Sequence, residues 1–281
     1  MTKLIGKGRD AVHMIADEGS FIENQTQTAP GAVVGTGTVG GRAATVISND
    51  AKVMNKRFPT VLSGVIGLEE GYKMAMAVYD TIAADKDSAE KRPIVLIVDT
   101  PGNGPGKTEE IFGMNKATGA YQLALAEARQ HGHPVLAVII GRAISGAFLC
   151  HGLQADRIIT LSKEFGTMIH VMPLSSIARI TKMDIETLEE LAKTNPVFAS
   201  GADFFYELGG VEEIIESIDD LKPAVIKHID EIYALRDNLE NTGPWSRGTL
   251  GAKRGGRKVR ADVLAKMEEE FEAVAGNYID S

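Results

Sequence analysis

Two short glycine-rich stretches hold the residues best suited to chemistry: Gly102-Asn103-Gly104-Pro105-Gly106 and Gly141-Arg142-Ala143-Ile144-Ser145-Gly146-Ala147-Phe148. Each follows an apolar run, PIVLIVD (93–99) and VLAVII (135–140). Glycine lets the backbone bend until successive N–H groups converge on one point. The second stretch turns off its strand into a helix, where the first N–H groups lack intrahelical partners and favour negative charge. Two such loops on neighbouring strands would form an oxyanion hole, in which each donor is typically worth about 3–4 kcal/mol of transition-state stabilisation. Gly102 and Asn103 on one loop, and Gly141 and Arg142 on the other, are expected to line the substrate. The plainer reading is that these glycines only permit close strand–helix packing. Ser145 and His170 are the one Ser/His pair near the turn. Their plainer roles are a helix N-cap and a hydrogen-bonded core histidine.

Other motifs lose to their competitors. GTGTVG (35–40) has dinucleotide-fingerprint spacing, but the β-forming RAATVIS that follows it cannot supply the helix that faces a pyrophosphate. A hairpin about Gly40-Gly41 fits better. GNGPGKT (102–108) resembles a P-loop, yet Pro101 stands where its first glycine belongs. Pro105 also removes a needed N–H. His131 and His133 flank a glycine with no carboxylate at ligand spacing, so no metal site is expected. Between Arg247 and Arg260 lie six basic residues and no acid. This reads as a solvated Gly-rich loop, or as a dock for an acidic partner or a phosphate-bearing carrier arm through Lys253, Arg254 and Arg257.

The bulk properties bound the answer. The chain has 281 residues, a formal net charge of −8 and a pI near 5.4. That balance argues against a general nucleic-acid partner. A single cysteine, Cys150, excludes an intrachain disulfide. The N-terminus lacks a signal-like apolar stretch, and the apolar run Pro134 to Ile140 is too short to span a bilayer. A cytoplasmic protein without membrane insertion is expected.

Periodicity places the motifs on elements. Helices are expected around 10–16, 67–84, 108–130, 145–152, 173–182, 184–193, 221–239 and 261–276. Strands are expected on either side of Gly40-Gly41, and at 93–99, 135–140, 155–161 and 167–171. The middle of the chain alternates strand and helix. One domain is expected, with an N-terminal extension over about 1–50 and a helical tail over about 221–281.

Several stretches together resemble the carboxyltransferase branch of the crotonase-like superfamily. VDTPGNGPGKTEE (98–110) and IIGRAISGAFLCHG (139–152) resemble its two oxyanion loops. DEGSFIE (17–23) and GRAATVISND (41–50) are similar to the start of acyl-CoA carboxylase beta chains. Malonate decarboxylase gamma subunits resemble the chain more closely, at KRFP (56–59), GLEEGYKMAMAV (67–78), RPIVLIVD (92–99), GRAISGAFL (141–149) and MIHVMPLSSIARIT (168–181). The likeness spans roughly residues 56–215.

The resemblance implies an α/β, crotonase-like (ClpP/crotonase) fold of repeated ββα units and a homologous beta subunit as partner. It implies a malonyl thioester on the phosphopantetheine-type arm of an acyl-carrier protein, with no cofactor bound by this chain. Decarboxylation to an acetyl thioester would pass through an enolate held by amides of Gly104 and Gly106 on one loop and Gly146 and Ala147 on the other. His170, oriented by Ser145, would deliver or relay the quenching proton. The Gly102-Asn103-Gly104-Pro105 loop is closer to biotin-using carboxyltransferases. The alternative is therefore a carboxyltransferase subunit passing CO2 to biotin on another subunit, since this chain lacks the Ala/Pro-Met-Lys-Met attachment signal. A non-catalytic assembly subunit is a third reading. The serine and histidine segments also look like those of the Clp protease catalytic subunit, although Ser145 here directly abuts Gly146.

Overall fold

The computed structural model describes residues 3–104, 106–193, 200–236 and 243–278. Helix α1 (Gly8–Ile15) leads into an antiparallel start to the sheet: β1 (Ile22–Glu23), β2 (Ala32–Val39) and β3 (Arg42–Asn49). Val39 pairs with Arg42 across Gly40 and Gly41, whose φ values of 59° and 76° suit a two-residue hairpin turn. The segment read as an N-terminal extension thus supplies three strands of the main sheet.

After α2 (Leu68–Ala84) the chain becomes a parallel α/β array. Strand β4 (Ile94–Thr100) is followed by α3 (Lys107–Phe112) and α4 (Met114–Gln130), and β5 (Val135–Ile144) by α5 (Ser145–Cys150). The single helix expected over 108–130 is two, because Gly113 takes φ 94° and ends α3. Next come β6 (Arg157–Leu161), β7 (Met168–His170), α6 (Leu174–Thr181), α7 (Ile185–Ala192), α8 (Ala202–Glu207), β8 (Glu213–Ile215) and α9 (Leu221–Leu235). The chain closes with α10 (Gly243–Lys253) and α11 (Arg260–Glu272). Of the expected tail helix, 237–239 lies outside the described residues.

Sheet order is β1-β2-β3-β4-β5-β6-β8, with β7 beside β5. Both neighbours of β5 matter. Leu136 to Ile139 pair with β6, whereas Arg142 to Ile144 pair with β7. This second partner is why β5 runs four residues beyond the apolar run that announced it.

Strands β4 and β5 are buried on both faces, as a covered parallel sheet requires. Their period of two sorts the core into layers. Ile94, Leu96, Val98, Val135, Ala137 and Ile139 face α2, α4 and α5. Val95, Ile97, Leu136, Val138 and Ile140 face α1 and α9. The basic stretch 247–260, expected as a loop, instead carries the C-terminal part of α10. Its Gly248 and Gly251 suit close packing: an added Cβ at Gly251 would strike the Leu208 backbone. Among the described residues no helix is long and apolar enough to cross a membrane.

Candidate active site at the ends of two parallel strands

The two glycine-rich stretches meet at the C-terminal ends of β4 and β5. Thr100 pairs with Ala143, and the register shifts between Val98 and Thr100. Asp99, 2 % exposed, sits at that irregularity. Its Oδ1 accepts from the Arg142 amide at 3.0 Å and Nε at 2.8 Å, and its Oδ2 from Gly6 N. Arg142 Nη2 also donates to the Ser63 carbonyl at 2.8 Å. The guanidinium expected to meet substrate is therefore committed to holding β4, β5 and the 63–64 turn together. Gly141 is buried against the same carboxylate, with an added Cβ 2.6 Å from Asp99 Oδ1.

The first loop is tied down similarly. Ile66 N donates to the Gly102 carbonyl at 3.1 Å, and Gly104 N donates to the Ile66 carbonyl at 2.8 Å. Gly102 N donates to Thr100 Oγ1 at 3.3 Å. Gly104 cannot offer its amide to an oxyanion while that bond stands. Gly106 precedes α3, where an added Cβ would collide with the carboxylate of Glu109, and among the described residues nothing accepts from its partly exposed amide. Glu109 is itself buried and accepts from Thr60 Oγ1.

The second loop retains donors. Ser145 adopts φ +58°, the left-handed region that costs a non-glycine residue about 1–2 kcal/mol. That strained residue turns the chain from β5 into α5. Among the described residues nothing accepts from the amides of Gly146 and Ala147, as expected for a helix start without a side-chain cap. Gly146 is partly open, while Ala147 is buried in the core. Gly146 also lacks a side chain where one would matter, because an added Cβ would lie 2.8 Å from Asn103 Oδ1. Asn103, partly exposed, is thus the first-loop residue that reaches the second loop.

His170 ends β7, with Ile144 as its register partner, and so stands beside Ser145. It is half-buried, and burial pulls its pKa below the ordinary histidine value. Among the described residues its buried Nε2 has no hydrogen-bond partner. No hydrogen bond joins it to Ser145, so the expected orientation of one by the other is not seen. Asn103, Ser145, Gly146, Ala147 and His170 form the candidate site: the partly open amide of Gly146, that of Ala147 behind it, a carboxamide and an imidazole whose pKa burial lowers. The organising role of Asp99 escaped the sequence reading. Its signal was an acid inside a buried apolar run, which needs a partner.

Lys253, Arg254 and Arg257 do not act as a group. Arg254 lies 3.5 Å from the Tyr206 ring centroid and donates to the carbonyls of Tyr206, Val211 and Glu212. Arg257 donates to the Leu208 carbonyl. Both pin the chain around α10 to the α8–β8 turn, and only Lys253 of the three is exposed.

This geometry has relatives. Residues 62–271 match the family described as malonate decarboxylase gamma subunit. The chain belongs to the malonate decarboxylase gamma subunit family. Malonyl-S-ACP:biotin-protein carboxyltransferase MADD of Malonomonas rubra is 61% identical to this family member over 98% of both chains. A chain of the Pseudomonas malonate decarboxylase hetero-tetramer, solved with coenzyme A, superimposes with TM-score 0.76 at 28% identity. The match covers 94% of this chain and 99% of that one. The transcarboxylase 12S fold also matches, with TM-score 0.64 over 82% of this chain and 41% of the other, at 24% identity. This gamma-family chain is accordingly a malonate decarboxylase subunit of the carboxyltransferase type, with the crotonase-like fold.

Proposed function

We propose that the chain, with a homologous partner subunit, transfers the carboxyl group of a malonyl thioester on an acyl-carrier protein to biotin on a separate protein. The 61% identity to malonyl-S-ACP:biotin-protein carboxyltransferase MADD supports this over direct release of CO2. The geometric observation that carries it is the uncommitted amide of Gly146, backed by that of Ala147, at the head of α5.

As the malonyl C–C bond breaks, its electron pair moves onto the thioester, and the carbonyl oxygen becomes an enolate oxygen. An amide placed there binds the transition state more tightly than the ground state, which is the condition for acceleration. Biotin supplies the acceptor nitrogen, and the proton it gives up equals the proton the acetyl group gains. His170 relays that proton: one ring nitrogen gives as the other takes, so the imidazole stays neutral overall. Asn103 closes the first loop over Gly146.

The test is carboxyl transfer from malonyl-carrier protein by the assembled complex, with and without avidin. Transfer blocked by avidin is the expected result. Avidin-insensitive formation of acetyl thioester and CO2 would replace this reading with direct decarboxylation.

A further inference from the structure

At the opposite end of the parallel strands, ahead of β5 and β6, lies a cavity of about 250 Å3. Its wall includes Arg129 from the last turn of α4, His133, Asp156 and Arg236 just after α9. The two arginines form no ion pair with a carboxylate among the described residues. Arg129 Nε is buried without a hydrogen-bond partner among the described residues. Arg236 rests 5.4 Å from the Tyr233 ring centroid, and it fits because Gly132 has no side chain: an added Cβ would lie 3.2 Å from Nη2.

His133 adds a second unsatisfied group. It is 2 % exposed, and its Nδ1 stands 2.9 Å from the Arg92 carbonyl, which can only accept. Nδ1 therefore carries the ring hydrogen. Nε2 is left as a bare lone pair, buried and without a partner among the described residues. Burial keeps the ring neutral, since it lowers the His133 pKa. The one acid of the wall, Asp156, already accepts from Val135 N at 2.8 Å. Arg129, Arg247 and Arg236 all act on its charge. The wall thus carries two arginines against one carboxylate, and His133, whose Nε2 lacks a partner among the described residues, belongs to the same wall.

A matching ligand must present anionic oxygens to the guanidiniums and one O–H to Nε2. Sulfate lacks the O–H, and so does the dianion of a phosphate monoester. We propose that this cavity is a binding site for inorganic hydrogen phosphate, held by Arg129 and Arg236 through its charged oxygens and by His133 Nε2 through its O–H. The site joins α4, the start of β5 and the end of α9, far from the carboxyl chemistry.

The experiment is calorimetric titration of the full-length chain at pH 7.5 and constant ionic strength with phosphate, sulfate and glycerol 3-phosphate. Saturable phosphate binding is expected, with sulfate and glycerol 3-phosphate at least tenfold weaker, the scale of one charge-assisted hydrogen bond. Arg236→Gln should weaken phosphate at least tenfold with an unchanged circular dichroism spectrum. Arg129→Gln carries the same expectation should the first variant fail to fold. No saturable phosphate binding, sulfate binding as tightly, or an unchanged affinity in a folded variant overturns the proposal.

Discussion

Asp99 and Arg142 form a two-pronged ion pair across β4 and β5, Nε to Oδ1 at 2.8 Å and Nη2 to Oδ2 at 3.2 Å. The pair lies one residue before Thr100 and three before Ser145, so it fixes where both loops leave the sheet. Asp99→Asn leaves a nearly buried guanidinium without its counter-charge. Removing one partner of a buried pair typically costs about 3–5 kcal/mol, and the expected loss lies at the low end because the Arg142 side chain is 16% exposed. Urea unfolding measures it. Arg142→Lys should not restore stability, since an ammonium cannot make the same fork.

Gly146→Ala places a methyl group against Asn103 Oδ1. The amide stays, but the loops separate, and carboxyl transfer should fall by about a hundredfold, the scale of losing one donor. Adding Asn103→Gly should recover part of the rate. A double variant no better than the single one would place the fault in α5 rather than in the contact with Asn103.

Ser145→Gly and Ser145→Val separate the hydroxyl from the backbone at φ +58°. Glycine tolerates this conformation, whereas a β-branched side chain does not. Thermal melting should show the glycine variant as stable as the parent and the valine variant lower by about 1–3 kcal/mol. Because Ser145 makes no hydrogen bond to His170, transfer by the glycine variant should stay within about threefold of the parent, given the ~1.4 kcal/mol per tenfold scale. A hundredfold loss would restore a role for the hydroxyl.

His151 is fully buried between Tyr121 and the Ile97 carbonyl, with both ring nitrogens 2.9 Å from their partners. Burial lowers its pKa to about 4. Unfolded, it titrates near the ordinary ~6.5, so below that pH the unfolded chain binds more protons. Its contribution is therefore complete above pH ~6.5 and is lost as pH falls toward about 4. Asp156, raised to about 6 by burial, acts in the opposite direction over part of this window. The clean measurement is thus the difference between parent and His151→Gln. From pH 7 to pH 5 the parent should lose about 2 kcal/mol more than the variant.

Lys253→Glu and Arg254→Glu should behave differently. Lys253 is exposed, so its reversal should leave stability unchanged and lower affinity for an acidic carrier only if that carrier docks there. Arg254→Glu breaks three hydrogen bonds to carbonyls and a ring contact. It should cost about 2–4 kcal/mol of stability, so a loss of carrier binding in this variant would not locate a dock. Melting curves run beside the binding assay distinguish the two cases.

Elements set by local pattern were legible from residue order alone. The β4 and β5 runs read as covered strands, because every residue is apolar until Asp99 and Gly141. Gly40-Gly41 specified its hairpin because the required positive φ values are local. The order of the glycine loops carried the family resemblance. Tertiary structure decided which amides remained free. Gly104 looked as available as Gly146, but the Ile66 carbonyl takes its hydrogen. Arg142 looked like a substrate contact, but Asp99 from the next strand claims it. Arg254 and Arg257 looked solvated, but carbonyls at the end of α8 and before β8 hold them. Conformation follows from neighbours in the chain, whereas the commitment of a donor depends on acceptors that only folding brings within about 3 Å.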